Sequence, residues 1–152
     1  MFTSGTGHTL KTRFQFSAAG LLISLVVAAV LALSGCTPSE NLEGGILVTF
    51  DVVGEEYSIF ITNEETIADV LAVKNGQSQA TIPSGLIVDG AVSYNEPWSW
   101  HIDSEDIHMA ELTIELCDGT PSQVEENLDY WLDTVKRFCP WSAEIVEITD
   151  YR

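Results

Sequence analysis

The chain has 152 residues, among them 23 Asp and Glu against six Lys and Arg, which gives a formal net charge of −17 at pH 7. This balance disfavours nucleic acid as a partner, because binding a phosphate backbone requires a basic surface. Solubility is one explanation of the acidity, and attraction of divalent or other cationic partners is the alternative.

The first 35 residues have the layout of an export signal. A lysine and an arginine are the only charged side chains before residue 40, and an apolar run from residue 18 to residue 33 follows them. The sequence LSGC at residues 33–36 resembles the bacterial lipobox, in which a signal peptidase cleaves before a cysteine that carries lipid. An uncleaved membrane helix is the alternative, because about 17 to 25 apolar residues span a bilayer. We predict a signal peptide over residues 1–35 and fatty acylation, as by palmitate, at Cys36.

Residues 36–45, CTPSENLEGG, form a predicted tether between the lipid and a single globular domain over residues 46–152. Such a tether reaches at most roughly 35 Å when extended, so the domain would stay close to the bilayer. Two or three acyl chains would hold it there almost permanently. The expected location is the extracytoplasmic side of a bacterial cell membrane or outer membrane, with the membrane as a partner through the lipid anchor.

The domain is predicted to begin with a β-hairpin and a short helix. Two runs of alternating apolar and polar residues flank Gly54, which is the pattern of two paired strands. Thr62 and Glu65 then have the spacing of a helix-capping box, and Gly76 is a typical helix end. The next segment, residues 78–92, is undecided, because a proline and a glycine interrupt its strand-like ends.

The stretch YNEPWSWHID, residues 94–103, combines tryptophans with polar side chains. In an extended backbone Trp98, Trp100 and Ile102 share one face, which would place the indoles in the core. The opposite face would carry polar side chains outward. The candidate ligand-contacting residues of this stretch are Tyr94, Asn95, Trp98 and His101.

Histidines and carboxylates also cluster here, at His101, Asp103, Glu105 and His108. These residue types suit zinc or another divalent ion, but their spacing matches no established site. His108 moreover falls on the apolar face of the strand predicted next, where a hydrogen-bonded core histidine is the expected role. We therefore predict no metal site and no cofactor.

No stretch of the sequence has the spacing of a catalytic site. The serines occupy no nucleophile elbow, and the histidines lack positioned partners for a catalytic triad. The sequence also contains no Gly-rich phosphate-binding loop. Glu111 and Glu115 share one side of a predicted strand and imitate a carboxylate pair, but a solvated sheet face explains them. We predict that the protein is not an enzyme.

The clearest strand and helix signals lie near the C-terminus. Alternation over residues 108–116 predicts a strand with one solvated face. A helix should follow, because Thr120 suits the N-cap, Pro121 the first helical position and Gln123 a capping box. The apolar stripe of this helix consists of Val124, Leu128, Trp131, Leu132 and Val135. Residues 142–149 predict the last strand.

The three cysteines predict one disulfide. If Cys36 carries lipid, Cys117 and Cys139 remain to pair in an oxidising compartment. The bridge would join the end of the strand over residues 111–116 to the loop after the second helix, and chain entropy gives it a stabilisation of about 3 kcal/mol. Two buried free thiols are the alternative.

These elements predict a small two-layer α+β domain with a mainly antiparallel sheet, two helices and one disulfide. Three of its stretches resemble a known family: YNEPWSWHID, ELTIELCDGTPSQVEENLDYWL and CPWSAEIVEI. That family is named after the N-terminal region of an amoebal calmodulin-binding protein and has bacterial members. The resemblance is strongest over residues 85–148 and implies no transferable catalytic residue. Calmodulin is not expected as a partner, because its targets present a basic amphipathic helix and the better helix here is acidic.

Binding is the function that remains. We predict a lipid-anchored extracytoplasmic binding domain without catalysis, whose partner is a protein or a cell-envelope ligand and not nucleic acid. One alternative is a protease-inhibitor-like protein that uses a rigid Pro-bearing loop such as residues 92–97. The other alternative is a structural envelope lipoprotein.

Lipidation can be tested directly at Cys36. Mass spectrometry of the purified protein should find an amino terminus at Cys36 that carries fatty-acyl mass. A Cys36→Ser variant should lack that mass and leave the membrane fraction, because the acyl chains supply the membrane affinity. An intact amino terminus, a bare thiol at Cys36 and reduced sulfurs at Cys117 and Cys139 would contradict the assignment.

Overall fold

The computed structural model describes residues 41–152. The predicted signal peptide, Cys36 and the first part of the predicted tether lie outside these residues. The strands are β1 (Ile46–Val52), β2 (Glu55–Ile61), β3 (Ile82–Asp89), β4 (Trp100–Ala110), β5 (Arg137–Phe138) and β6 (Ala143–Asp150). The helices are α1 (Glu64–Lys74), α2 (Pro121–Glu126), α3 (Leu128–Tyr130), two 3-10 turns (Ser93–Asn95 and Glu115–Cys117) and a π-helical turn (Trp131–Val135). Within residues 41–152, no helix has the length and hydropathy needed to cross a membrane.

The strands form two antiparallel sheets of three strands each. One sheet has the order β2-β1-β6 and the other the order β4-β3-β5. Side chains from both sheets and from the helices pack into one hydrophobic core, in which Trp100, Phe50 and Phe138 are the largest fully buried members. The prediction of a small α+β domain with mainly antiparallel strands, helices and one disulfide is confirmed.

The predicted hairpin is present as β1 and β2. Every second residue of β1 is buried, as expected for a strand with one face on the core. Val53 and Gly54 form the turn with φ angles of 58° and 87°, a conformation whose twist matches that of the flanking strands. Because β1 also pairs with β6 on its other side, it is the central strand of its sheet.

The first predicted helix is present, but the predicted capping box at Thr62 is wrong by one residue. The N-cap of α1 is Asn63, whose Oδ1 accepts hydrogen bonds at 3.0 Å from the backbone N–H groups of Glu65 and Thr66. An Asn side chain is short enough to reach these otherwise unpaired donors. At the other end Gly76 has a φ of 67° and follows the helix, as predicted.

The second predicted helix has the predicted cap but is not continuous. Gln123 N donates to Thr120 Oγ1 at 3.4 Å, and Thr120 N donates to Gln123 Oε1 at 2.9 Å, which is a complete capping box. The helix is interrupted at Asn127 and continues as α3 and the π-helical turn. A left-handed Lys136, with a φ of 68°, ends it. The predicted apolar stripe packs on the core in spite of the interruption.

The strand predicted over residues 108–116 is wrong in both position and facing. The strand is β4, which ends at Ala110, and its buried side changes along its length. Trp100 and Ile102 are buried in its first half, whereas Ile107 and Met109 are buried in its second half. The pairing with β3 is irregular between these halves. The side chains of Ile102 and Ile107 therefore point to the same face although five residues separate them, whereas an odd separation in a regular strand places side chains on opposite faces. His108 is therefore exposed, contrary to the prediction that it lies in the core.

The undecided segment is the central strand of the second sheet. β3 pairs with β4 along one edge and with β5 along the other, and Pro83 and Gly85 lie inside it. Gly85 is required by close packing, because a Cβ atom there would overlap Cγ2 of Ile102 and lie 3.1 Å from Cδ1 of Ile107. Because Gly85 has no side chain, Ile102 and Ile107 of β4 can pack directly against the backbone of β3.

The predicted disulfide between Cys117 and Cys139 is present, with a Cα–Cα distance of 5.2 Å. Cys117 lies in a 3-10 turn and not at the end of a strand, which corrects the predicted attachment. Cys139 follows β5 directly, and its backbone N–H donates to the carbonyl of Cys117 at 2.8 Å. The bridge therefore fastens the segment after β4 to the second sheet.

A Gly85→Ala substitution should lower the free energy of unfolding by about 1–3 kcal/mol, because the new methyl group overpacks against Ile102. Urea unfolding of the two proteins measures the difference. A double variant with Ile102→Ala should lose less stability than the sum of the single losses, since the cavity and the methyl group coincide. Strictly additive losses would show that the close approach has no energetic consequence.

Candidate functional site

Two of the four residues predicted to contact a ligand, Tyr94 and His101, line one pocket of about 390 Å³. Its lining combines the first described residues of the chain with β2, β3, β4 and the 3-10 turn before β4. The lining residues are Asn41, Leu42, Phe60, Val88, Tyr94, His101, Ile102, Asp103 and Ser104. We call it the tether-side pocket, because Asn41 and Leu42 belong to the segment predicted as the tether.

The two ends of the domain meet beside the tether-side pocket. Gly44 N donates to the carbonyl of Tyr151 at 3.0 Å, and Tyr151 N donates to the carbonyl of Gly45 at 2.9 Å. The last two residues of the predicted tether therefore lie against the C-terminus. The ring of Phe60 contacts Tyr94 and Tyr151, with centroid distances of 6.4 and 6.3 Å. These aromatic contacts hold the pocket wall in place.

The C-terminus is also fixed by an ion pair. Arg152 Nη2 donates to Asp150 Oδ2 at 2.7 Å, and the hydrogen bonds from Arg152 lower the pKa of the Asp150 carboxyl to about 2. The Asp150 carboxylate is protonated only when the pH falls to its lowered pKa of about 2, so its ion pair with Arg152 persists at neutral and mildly acidic pH. Tyr151 is thus held between two paired residues.

His101 presents one defined nitrogen to a ligand. Its Nδ1 lies 2.8 Å from the carbonyl oxygen of Gly90. A carbonyl can only accept, so Nδ1 carries the proton and donates. In the tautomer with the proton on Nδ1, Nε2 has a lone pair that can accept a hydrogen bond from a ligand.

Asp103 adds a carboxylate to the same wall. It lies two residues after His101 on β4, so both side chains point to the same side of the strand. Its Oδ1 accepts a hydrogen bond from the backbone N–H of Glu105 at 2.9 Å, which orients the group. The wall of the pocket consequently offers hydrogen-bond acceptors and aromatic rings.

Asn95, one of the predicted contact residues, does not line the tether-side pocket. Its side chain is 1% exposed. Asn95 Oδ1 accepts from the backbone N–H of Ser58 at 2.7 Å, and Asn95 Nδ2 donates to the carbonyl of Trp100 at 2.8 Å. Both polar atoms are used inside the protein, so the side chain is structural.

Trp98 is likewise a structural residue rather than a wall of the pocket. Its Nε1 donates to the carbonyl of Glu56 at 2.8 Å, and its ring stacks on Trp100 with centroids 6.3 Å apart. Trp100 and Ile102 are buried, as predicted, whereas Trp98 is half-buried. The tryptophans of this stretch therefore form a corner against β2.

The histidine and carboxylate cluster does not assemble in three dimensions. In the described part of the chain, no group of three or more His, Cys, Asp and Glu side chains is placed to hold a metal ion. His101 is bonded to Gly90, whereas His108 lies next to Arg137, with 3.5 Å between His108 Nδ1 and Arg137 Nη2. The two histidines belong to different surroundings on the same strand.

An exposed apolar surface was missed by the sequence analysis. Leu112, Ile114 and Leu116 have exposed fractions of 84%, 67% and 53%. We call these three residues the apolar strip. Leu112 and Ile114 lie between β4 and the 3-10 turn Glu115–Cys117, and Leu116 lies in that turn. Ile114 and Leu116 border a second pocket of about 280 Å³. Alternation of apolar and polar residues has the same period in an exposed extended segment and in a half-buried strand, so the pattern alone did not distinguish them.

Comparison with known proteins identifies one family. A family model described as the BP-74 N-terminal domain matches residues 45–152, which is nearly all of the described chain. Neither a curated protein nor a solved structure matches the chain. The match includes the tether-side pocket, apart from its first two lining residues, and the apolar strip.

An Asn95→Ala variant should lose about 2–4 kcal/mol of unfolding free energy, because a buried N–H and a buried carbonyl would each lose their partner. Ser93→Ala is the matched control, since Ser93 is an exposed residue of the same turn and should change stability by no more than about 0.5 kcal/mol. Urea unfolding measures both. Equal stability of the two variants would contradict the structural role of Asn95.

Proposed function

Since the chain belongs to the BP-74 N-terminal domain family, we propose that it is a lipid-anchored, non-catalytic binding domain on the extracytoplasmic side of a bacterial membrane. The observation that carries the proposal is the tether-side pocket, where Tyr94 and His101 of the predicted contact residues lie together with Asp103. The lipobox at residues 33–36 supports the anchor. The pocket supplies a place for a small ligand.

The anchor would keep the pocket close to the bilayer. Asn41 lines the pocket and follows Cys36 by five residues. Five extended residues span at most about 18 Å. A ligand bound in the tether-side pocket would therefore lie near the membrane surface, where components of the cell envelope are concentrated.

The chemistry of the wall favours a ligand with a positively charged amine. Asp103 supplies a carboxylate, His101 Nε2 supplies an acceptor, and the rings of Phe60 and Tyr94 provide faces that attract cations. The formal net charge of −17 adds a general attraction for cations. Amine-bearing compounds of the envelope are the ligand class that matches these features.

The alternative of an inhibitory loop at residues 92–97 has less support. The disulfide joins Cys117 to Cys139, neither of which lies in this loop. Asn95, in the middle of the loop, is buried and bonded to Ser58 and Trp100. A protease could not reach its side chain without breaking both hydrogen bonds.

Calorimetric titration with spermidine tests ligand binding at the tether-side pocket. The Asp103→Asn variant removes the charge but keeps an oxygen for the hydrogen bond from Glu105 N. Its affinity should fall about tenfold, the effect of losing one hydrogen bond to a charged group. The control is Asp89→Asn, an exposed carboxylate on β3 outside the pocket lining, which should keep the wild-type affinity.

Added salt should weaken the binding of spermidine to the wild-type protein, because screening reduces attraction between charges. Absence of binding by the wild-type protein would refute an amine ligand. Equal affinities of the Asp103→Asn and Asp89→Asn variants would place the ligand outside the tether-side pocket.

A further inference from the structure

The second pocket, of about 280 Å³, lies on the side of the second sheet that faces away from the main hydrophobic core. Ile107 and Phe138 belong to that core, so the neighbouring His108 on β4 and Arg137 on β5 face the other side. Ser84 on β3 is the direct partner of His108 across the strands and therefore lies on that side too. Three strands thus bring a serine, a histidine and an arginine to one surface.

The rest of the lining is mostly apolar and is fastened at two points. The disulfide joins Cys117, a lining residue, to Cys139 directly after β5. Trp141 Nε1 donates to Oγ1 of Thr113 at 2.7 Å. A wall that is already fixed avoids the cost of ordering on binding a ligand. We call this space the arginine pocket, which is lined by Ser84, His108, Thr113, Ile114, Leu116, Cys117, Val135 and Arg137.

Two hydroxyl groups of the arginine pocket have no hydrogen-bond acceptor among residues 41–152. Ser84 is only 4% exposed, and its Oγ accepts from Arg137 Nε at 3.4 Å, so its own O–H is left to donate. Thr113 Oγ1 accepts from Trp141 in the same way and also keeps its O–H. A buried donor without an acceptor is unfavourable, and an acceptor on a ligand would remove this penalty.

Arg137 supplies a positive charge in a fixed position. Its Nη1 donates to Asp106 Oδ1 at 2.8 Å, and its Nη2 donates to the carbonyl of Ser84 at 2.9 Å. A guanidinium has five N–H groups, so these bonds orient it and still leave an N–H for a ligand. Nη2 also lies 3.5 Å from His108 Nδ1. Because a guanidinium only donates, this contact favours the tautomer in which His108 Nε2 carries the proton and can donate.

The charge of the arginine pocket is opposite to that of the chain as a whole. Its lining contains an arginine and no aspartate or glutamate, although the chain has 23 of these acids and only six Lys and Arg. Asp106 pairs with Arg137 but is not part of the lining. The pocket therefore combines a cation and hydroxyl donors with an apolar wall.

We propose that the arginine pocket binds a small aliphatic carboxylic acid. The carboxylate accepts hydrogen bonds from Arg137 and from the hydroxyl of Ser84, and the hydrocarbon part packs against Ile114, Leu116 and Val135. The volume of about 280 Å³ lies just below the usual range for ligand pockets, which limits the acid to a short chain. This site and its anionic ligand are separate from the tether-side pocket and do not depend on the amine proposed there.

Two other classes of ligand match the arginine pocket less well. A neutral hydrocarbon would cover the apolar wall but leave the O–H of Ser84 and the charge of Arg137 without an acceptor. An inorganic anion such as phosphate would satisfy these donors but make no use of Ile114, Leu116 and Val135. A carboxylate on a short hydrocarbon satisfies both parts of the lining.

Calorimetric titration of the full-length protein in neutral detergent with hexanoate tests the proposal. Hexanoate should bind with one-to-one stoichiometry and a dissociation constant of about 1 mM or lower. Hexanamide has the same size without the charge and should bind about tenfold more weakly. Acetate has the charge without the chain and should not saturate the protein over the same concentrations. The heat of each titration into detergent alone is subtracted.

Substitution of Arg137 tests the role of the charge. Arg137→Met keeps much of the aliphatic side chain and should lower the affinity for hexanoate about tenfold or more. Arg152→Met is the matched control, because it removes the same charge from an arginine that pairs with Asp150 outside the pocket lining, and it should bind hexanoate normally. The Asp103→Asn variant should also bind hexanoate normally, and Arg137→Met should bind spermidine normally.

Ile114→Asp tests the same pocket without disturbing the contacts of Arg137. The Ile114 side chain is 67% exposed, so the variant should keep the thermal midpoint of the wild type. Its new carboxylate should repel hexanoate and weaken binding about tenfold or more. Val53→Asp adds the same charge at the hairpin turn, where the side chain is 75% exposed, and should bind hexanoate normally.

Weaker binding by Ile114→Asp, together with normal binding by Val53→Asp, supports the proposal whether or not Arg137→Met folds. The proposal is overturned if the wild-type protein shows no saturable binding of hexanoate or binds hexanamide equally well. Wild-type affinity in Ile114→Asp, or in a folded Arg137→Met variant, overturns it as well.

Discussion

The two sheets are joined by the amide of one buried asparagine. Asn95 accepts a hydrogen bond from Ser58 on β2 and donates one to Trp100 on β4, and these two strands are the facing edges of different sheets. Apolar contacts hold the sheets together but are nearly non-directional, so they do not define a relative position. An amide with a donor on one side and an acceptor on the other defines it, because each atom has one suitable partner.

The corner around Asn95 also determines where the polar residues of β4 lie. Trp98 bonds to Glu56, and the hydroxyl of Thr62 donates to the carbonyl of Ser104 at 3.3 Å, so β2 and the start of β4 are linked at three levels. With the corner fixed, Tyr94 and His101 flank the tether-side pocket. The indole N–H of Trp100, in contrast, is buried without a hydrogen-bond partner, which indicates that this residue is present for its ring.

Features defined by neighbours in the sequence were predicted well. The hairpin turn at Gly54, the capping box at Thr120 and the disulfide all follow from local spacing or from the parity of three cysteines. The path of β4 was not predictable, because its buried face changes where Gly85 and Ile102 approach, and that approach depends on a strand which the sequence left undecided. At the candidate site, too, local features could be predicted and features that depend on distant strands could not. His101 was found by residue type, whereas the interior position of Asn95 follows only from packing between distant strands.

The pairing of Gly44 and Gly45 with Tyr151 has a mechanical consequence. A pull transmitted from a membrane anchor would enter the domain at the first residue of β1, which is bordered by strands on both sides. Force along that axis loads two hydrogen-bonded ladders in shear, so many bonds must break together rather than one after another. The N-terminal end of the domain would resist such a pull better than the C-terminal end, because β1 is the central strand of its sheet and β6 is an edge strand.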